Sequence, residues 1–121
     1  AVNSDAPPRT NDFARLIVDV ASDKLASDIV MLDLRDVSDF TDYFIVLTVE
    51  SSRQMDSLRD DLESVAEENG GKLHHREGTS NGGWVLLDFI DVIVHLFNPD
   101  SRDYYQIEQA WPDAIETVRI Q

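Results

Sequence analysis

The sequence predicts an α/β fold, a small mixed sheet of five strands flanked by helices in the order α-β-β-α-β-β-β-α. Three observations predict it. "SSRQMDSLRDDLESVAEENGG" sets Met55, Leu58, Leu62 and Val65 at helical spacing in an acidic, polar stretch. Before it, Tyr43 to Val49 is apolar nearly throughout, as in a central strand covered on both faces. After it, "WVLLDFIDVIVHLF" reads as two strands joined by a very short turn. Strands that follow one another directly pair antiparallel, whereas the crossing through the middle helix permits a parallel pair.

The elements follow in order. Residues 1–10, "AVNSDAPPRT", lack the apolar run of a signal peptide and read as a disordered lead closed by Pro7-Pro8. Asn11 then caps a helix with Phe13, Leu16, Ile17, Val20 and Leu25 at helical spacing. In "SDIVMLDLRDVS" a strand points Ile29, Met31 and Asp33 one way and Val30, Leu32 and Leu34 the other. Ser51 or Ser52 caps the middle helix, and Asn69-Gly70-Gly71 ends it, because glycine adopts the left-handed conformation such ends need. "KLHHRE" is a short polar strand suited to a sheet edge, and "GTSNGG" is a flexible loop. Asn98-Pro99-Asp100 breaks the last strand and caps a helix, "SRDYYQIEQAW", with Tyr104, Ile107, Glu108 and Trp111 along one side. Pro112 stops that helix. The domain is expected over residues 11–112, with 113–121 as a tail of no assigned structure.

The hairpin carries two carboxylates and an imidazole among its valines and leucines. With Ile90-Asp91 as a two-residue turn, Phe89 faces Val92, Asp88 faces Ile93, Leu86 faces His95 and Trp84 faces Phe97. One face is then Val85, Leu87, Phe89, Val92, Val94 and Leu96, wholly apolar and fit for the core. The other mixes Trp84, Leu86, Asp88, Ile93, His95 and Phe97, as at a protein–protein hot spot. Slipping the register by one residue would send the mixed set inward.

Composition narrows the function. The length of 121 residues, 42% of them hydrophobic, suits one domain with a single core. No cysteine is present, which excludes disulfides and thiolate metal sites, fits a reducing compartment, and accords with an expected cytoplasmic location. The apolar run Trp84 to Phe97 is too short to span a bilayer. Acidic residues number 24 against 10 basic ones, a net charge of −14. No basic patch exists to displace counterions from nucleic acid or to meet an anionic membrane. The charge suits a basic protein partner, including one that itself sits on nucleic acid.

Catalytic patterns fit poorly. Nucleotidyl transfer on two metals needs converging carboxylates, usually a Gly-Ser loop followed by Asp-x-Asp on a strand. The chain has no Gly-Ser dipeptide, and both Asp88/Asp91 and Asp33/Asp36 have a spacing that does not share one strand face. His74 and His75 are adjacent on a strand and point apart, while His95 stands alone, so no metal site is expected. Ser51-Ser52 lacks the glycine frame of a nucleophile elbow and reads as a helix cap. With Arg53 the same turn could hold a phosphate, a weak signal.

Four blocks together, "TDYFIVLTVESSRQ", "HREG", "WVLLDFIDVIVHLF" and "RDYYQIEQAW", resemble the ribosomal silencing factor family, also called RsfS or Iojap, from about Phe13 to Trp111. The resemblance implies a fold like that of nucleotidyltransferases without their catalytic residues, no enzymatic activity, no cofactor, and commonly a homodimer. It implies binding to the large ribosomal subunit through its ribosomal protein number fourteen. Such binding would block joining of the small subunit and repress translation when nutrients are limiting. Partner contacts are then expected from Trp84, Asp88, Asp91, His95, Tyr105, Glu108 and Trp111, with Trp84 as the apolar anchor and the carboxylates pairing with lysine or arginine. A nucleotidyltransferase-related enzyme and an acidic dimeric scaffold are the alternatives. Two departures stand out: Val49 replaces a glycine of a frequent Thr-Gly-x-Ser-Ser-Arg frame, and Ile90 replaces a frequent glycine before Asp91. Ile90 resists positive φ, which disfavours a tight primed turn and predicts a bulged hairpin.

Overall fold

A computed structural model describes residues 7–121; residues 1–6 of the expected lead lie outside the described residues. The mixed α/β class stands, with six strands rather than five. Helix α1 (Pro7–Asp23) is followed by β1 (Ser27–Asp33), β2 (Tyr43–Thr48), helix α2 (Ser52–Glu68), β3 (His75–Thr79), β4 (Trp84–Asp88), β5 (Val92–Phe97), the short helix α3 (Pro99–Tyr105), a 3-10 turn (Ile107–Ala110) and β6 (Ile115–Ile120). The sheet order is β3-β4-β5-β2-β1-β6. The β2–β5 pair is parallel, as the crossing through α2 permits, and the other pairs are antiparallel.

One face of the sheet packs on α1 and α2. Ile29 and Met31, then Tyr43, Ile45 and Leu47, then Val92, Val94 and Leu96 meet Ile17, Val18, Met55, Leu58 and Leu62 there. Alternation along each strand sends Val30, Leu32, Phe44, Ile93, His95 and Phe97 to the opposite face. Among the described residues no layer of long helices covers that second face. The segment from α3 to Ala114 crosses it, laying Ile107, Trp111 and Ala114 on Val30, Leu32, Leu34, Phe44 and Ile93. The β3–β4 end stays uncovered, with every residue of β3 exposed, as expected of an edge strand.

Local chemistry explains the boundaries. The Ser51 hydroxyl accepts from the Gln54 N–H and caps α2, while Gly70, at φ 83, follows its C-terminal end. The Asn98 side chain caps α3 by accepting from the Ser101 N–H at 2.8 Å. Beyond Ser27, β1 bulges against β2; Asp28 takes φ 52, and its carbonyl accepts from Arg102 Nη1 at 2.7 Å.

Several expectations are corrected. Helix α1 begins at Pro7, so Asn11 is not its cap; the Asn11 side chain instead donates to the Tyr43 hydroxyl at 3.1 Å. Proline suits a first helical turn, whose N–H groups have no intrahelical partner. Leu25 is exposed at φ 68, in the turn after α1. On α2, Ala66 rather than Val65 completes the buried stripe. The last helix stops at Tyr105, because Gln106 turns left-handed (φ 46) and the chain continues as a 3-10 turn. The tail 113–121 contributes β6, paired antiparallel with β1.

Candidate functional site

The β4–β5 register is the one the sequence predicts, with Trp84 opposite Phe97, Leu86 opposite His95 and Asp88 opposite Ile93. The turn is tight and unbulged. The Phe89 N–H donates to the Val92 carbonyl at 2.9 Å, and the Asp91 N–H donates to the Phe89 carbonyl at 3.0 Å, closing a γ-turn around Ile90 at φ 76. The Asp88 carboxylate accepts from the Ile90 N–H at 2.7 Å and so clamps the strained residue. The expected obstacle is real but is met by strain in Ile90 rather than by a bulge.

An aromatic ridge runs across the second face. Tyr104 meets Tyr105 at 4.9 Å between ring centroids, Tyr105 packs tilted by 45° against Trp84 at 4.6 Å, and Trp84 lies against Phe97 at 5.0 Å. Towards the other end His95 meets Phe44 at 4.7 Å, Phe44 meets Trp111 at 6.0 Å, and Trp111 meets Phe40 at 5.9 Å. Both ends are open to solvent, through Tyr104 and Tyr105 on one side and Phe40 on the other. The middle is closed: Phe97 is fully buried and His95 is only 2% exposed.

His95 therefore supports the surface from beneath rather than facing solvent. The Trp84 indole N–H donates to His95 Nδ1 at 3.2 Å, so the neutral ring carries its proton on Nε2. Burial pushes the imidazole down to about 4, against the opposing pull of the Glu108 charge. Glu108 is engaged too: its Oε2 pairs with Arg102 at 3.0 Å. The buried Arg102 also donates to the Asp28 carbonyl and, at 2.9 Å, to the Thr48 hydroxyl. One guanidinium thus joins α3, β1, β2 and the 3-10 turn. Trp111 packs inward on Phe44, as a core residue would.

The residues expected as partner contacts accordingly divide. Trp84 and Tyr105 form one half-exposed aromatic pair, with Asp88 four residues along β4 on the same face, beyond Leu86. His95 lies beneath that pair, Glu108 is tied to Arg102, and Trp111 packs at the other end of the ridge on Phe44 and Phe40. Asp91 sits apart at the hairpin turn, where its carbonyl accepts from the Asp42 and Tyr43 N–H groups. Its charge, after burial, is the next cause of a raised Asp42 carboxyl. The sequence places Leu86 on the mixed hairpin face without counting it among the partner contacts, and it gives no contact role to Phe44 or Glu77. Leu86 and Phe44 lie on the ridge face, and Glu77 stands directly opposite Leu86 in the β3–β4 ladder. The alternation of β4 is enough to place Leu86, but Glu77 needs the register of an all-polar edge strand.

Among the described residues no three His, Asp or Glu side chains gather as metal ligands would, and no helix is long and apolar enough to cross a membrane.

Comparisons with known proteins agree with one another. A family model described as "Ribosomal silencing factor during starvation" matches residues 7–121. The chain is 35% identical over 110 residues to a ribosomal silencing factor of Halalkalibacterium halodurans, covering 91% of this chain and 93% of that one. It is 39% identical over 92 residues to the Bacillus subtilis protein of the same name, covering 76% and 78% respectively. A chloroplastic Iojap protein of Arabidopsis thaliana is 36% identical over 104 residues, covering 86% of this chain and 43% of the plant protein. Among solved structures, a Chromobacterium violaceum protein superposes with a TM-score of 0.80 at 32% identity, covering 90% of this chain and 92% of that one.

Proposed function

The chain belongs to the ribosomal silencing factor family, and on that premise we propose that it binds the large ribosomal subunit through ribosomal protein number fourteen. Seated there, it obstructs joining of the small subunit and represses translation when nutrients are limiting. The role is regulatory rather than catalytic, it is carried out in the cytoplasm, and the chain is expected to form a homodimer off the ribosome. The observation that supports this reading best is the half-exposed Trp84–Tyr105 pair, at 4.6 Å, at the uncovered end of a sheet in a chain of net charge −14. An aromatic anchor beside carboxylates is what a basic protein surface can desolvate and pair with. Trp84 and Tyr105 supply the apolar contact, and Asp88 and Asp91 supply charge. His95 holds the Trp84 indole in place, while Glu108 and Trp111 fix the segment that crosses the sheet face behind α3.

The test is a sucrose gradient of separated subunits, run with and without the protein. The expected outcome is fewer joined ribosomes and co-migration of the protein with the large subunit. Co-migration should be lost in Trp84→Ala and weakened in Asp88→Lys. Unchanged joining at saturating protein would overturn the proposal.

A further inference from the structure

We propose that the notch bounded by Glu77, Gly78, Trp84 and Leu86 is a clasp for one cationic side chain, a lysine or arginine presented by the basic partner; this rests on the docking reading above. The notch encloses about 160 Å³. That is room for one side chain, not for a nucleotide or a drug-sized ligand, whose sites begin at roughly 300 Å³.

Its walls follow from the β3–β4 register. Glu77 stands opposite Leu86, and Thr79 stands opposite Trp84, so Glu77, Leu86 and Trp84 share a face. Gly78 lies between at φ 83, and a Cβ there would sit 2.1 Å from the Trp84 carbonyl oxygen. Only glycine lets the edge strand close on β4 beside the notch.

The floor is apolar and fixed. The Trp84 ring is packed against Tyr105 and Phe97, and its N–H is tied to His95. A held indole is a ready platform for a cation, and half-buried Leu86 extends it for an aliphatic stem. The rim is anionic. His75 Nε2 lies 2.6 Å from Glu77 Oε2 and positions the carboxylate, while Oε1 has no partner among the described residues. Asp88, opposite His75 in the ladder, adds a second negative charge on the same face. Arg76, next to Glu77 in β3, is paired with Glu63 of α2 at 2.7 Å. An apolar stem with a positive head matches this floor and rim, whereas a phosphate would face the Glu77 carboxylate with a second negative charge, Asp88, farther along the same face.

Co-sedimentation with purified large subunits across a salt series tests the clasp. Glu77 is exposed, so Glu77→Gln is expected to fold like the parent chain. It should weaken binding about tenfold and flatten the salt dependence. Glu77→Lys should weaken it about a hundredfold, and Glu77→Asp should restore part of the loss. If Glu77→Gln binds as tightly as the parent while Trp84→Ala does not bind, the clasp is overturned and the docking reading survives. Tighter binding by Glu77→Gln or Glu77→Lys would identify an anion at the notch and overturn the clasp as well. A parent chain that fails to sediment with large subunits removes the docking reading and the clasp with it.

Discussion

Two residues carry strains of opposite kinds, and each can be measured. Ile90 is β-branched, exposed and held at φ 76, a conformation that costs about 1–3 kcal/mol in a residue with a Cβ. Ile90→Gly gives up little packing and removes that cost, against roughly 0.5–1 kcal/mol of added chain entropy in the unfolded state. The variant should be more stable by about 1 kcal/mol, read as a raised urea midpoint with an unchanged slope. His95 is strained electrostatically. Its folded value of about 4 lies below the ordinary 6.5. At pH values above 6.5 both folded and unfolded rings are neutral, and the fold keeps this contribution in full. As pH falls from 6.5 towards 4 the unfolded chain takes up a proton that the folded chain refuses, so stability is lost, by roughly 3 kcal/mol in full. Unfolding at about pH 7 and about pH 5 should show the decline, and His95→Gln should flatten it.

At the scale of elements, the short crossing segment is pinned by one side chain. Arg102 and Glu108 are 10% and 27% exposed, and Arg102 also serves the carbonyl of the β1 bulge. Arg102→Met leaves Glu108 partly buried without its counter-charge and the Asp28 carbonyl without its donor. A loss of about 3 kcal/mol is expected, and adding Glu108→Gln should recover part of it. Thermal denaturation of the single and double variants checks the pair. The same segment marks where sequence reasoning stopped. Hairpin alternation carries register information, so the faces of β4 and β5 were readable in "WVLLDFIDVIVHLF". The break at Gln106 was not, because nothing about glutamine announces a left-handed residue, and Tyr104, Ile107, Glu108 and Trp111 are spaced as one continuous helix would space them. Register says which residues share a face but not what covers it. From register alone His95 and Phe97 belong to the mixed face, and the crossing segment is what buries them. Strand β6 had a signal in its β-branched residues, yet it pairs only with a strand far away in sequence and adds little apolar surface of its own.

For the molecule as a whole, charge and shape act together. In the proposed docking, a net charge of −14 is the long-range attraction towards a basic surface, and the aromatic pair at the uncovered sheet end is the apolar area to be buried on arrival. Association with large subunits should slow roughly tenfold from low to physiological salt, while dissociation changes little. Stopped-flow binding at several ionic strengths measures both rates. A dissociation rate that carried the whole salt effect would mean that the net charge does not steer association and that only charges paired within the contact matter.

The strand order has a further consequence, in time rather than in space. Tyr43 pairs with Val92, and Met31 pairs with Val118, so the two strands made first are each completed by partners made much later. A nascent chain can form α1, the β1–β2 pair and α2 early, but it has no finished sheet until β5 and then β6 have been synthesised. Closing such long loops precedes the contacts that reward it, which makes folding slow for a chain of this size. Until Ile120 is made, the backbone edge of β1 has no neighbour, and that interval is when the protein is most open to pairing with the wrong strand.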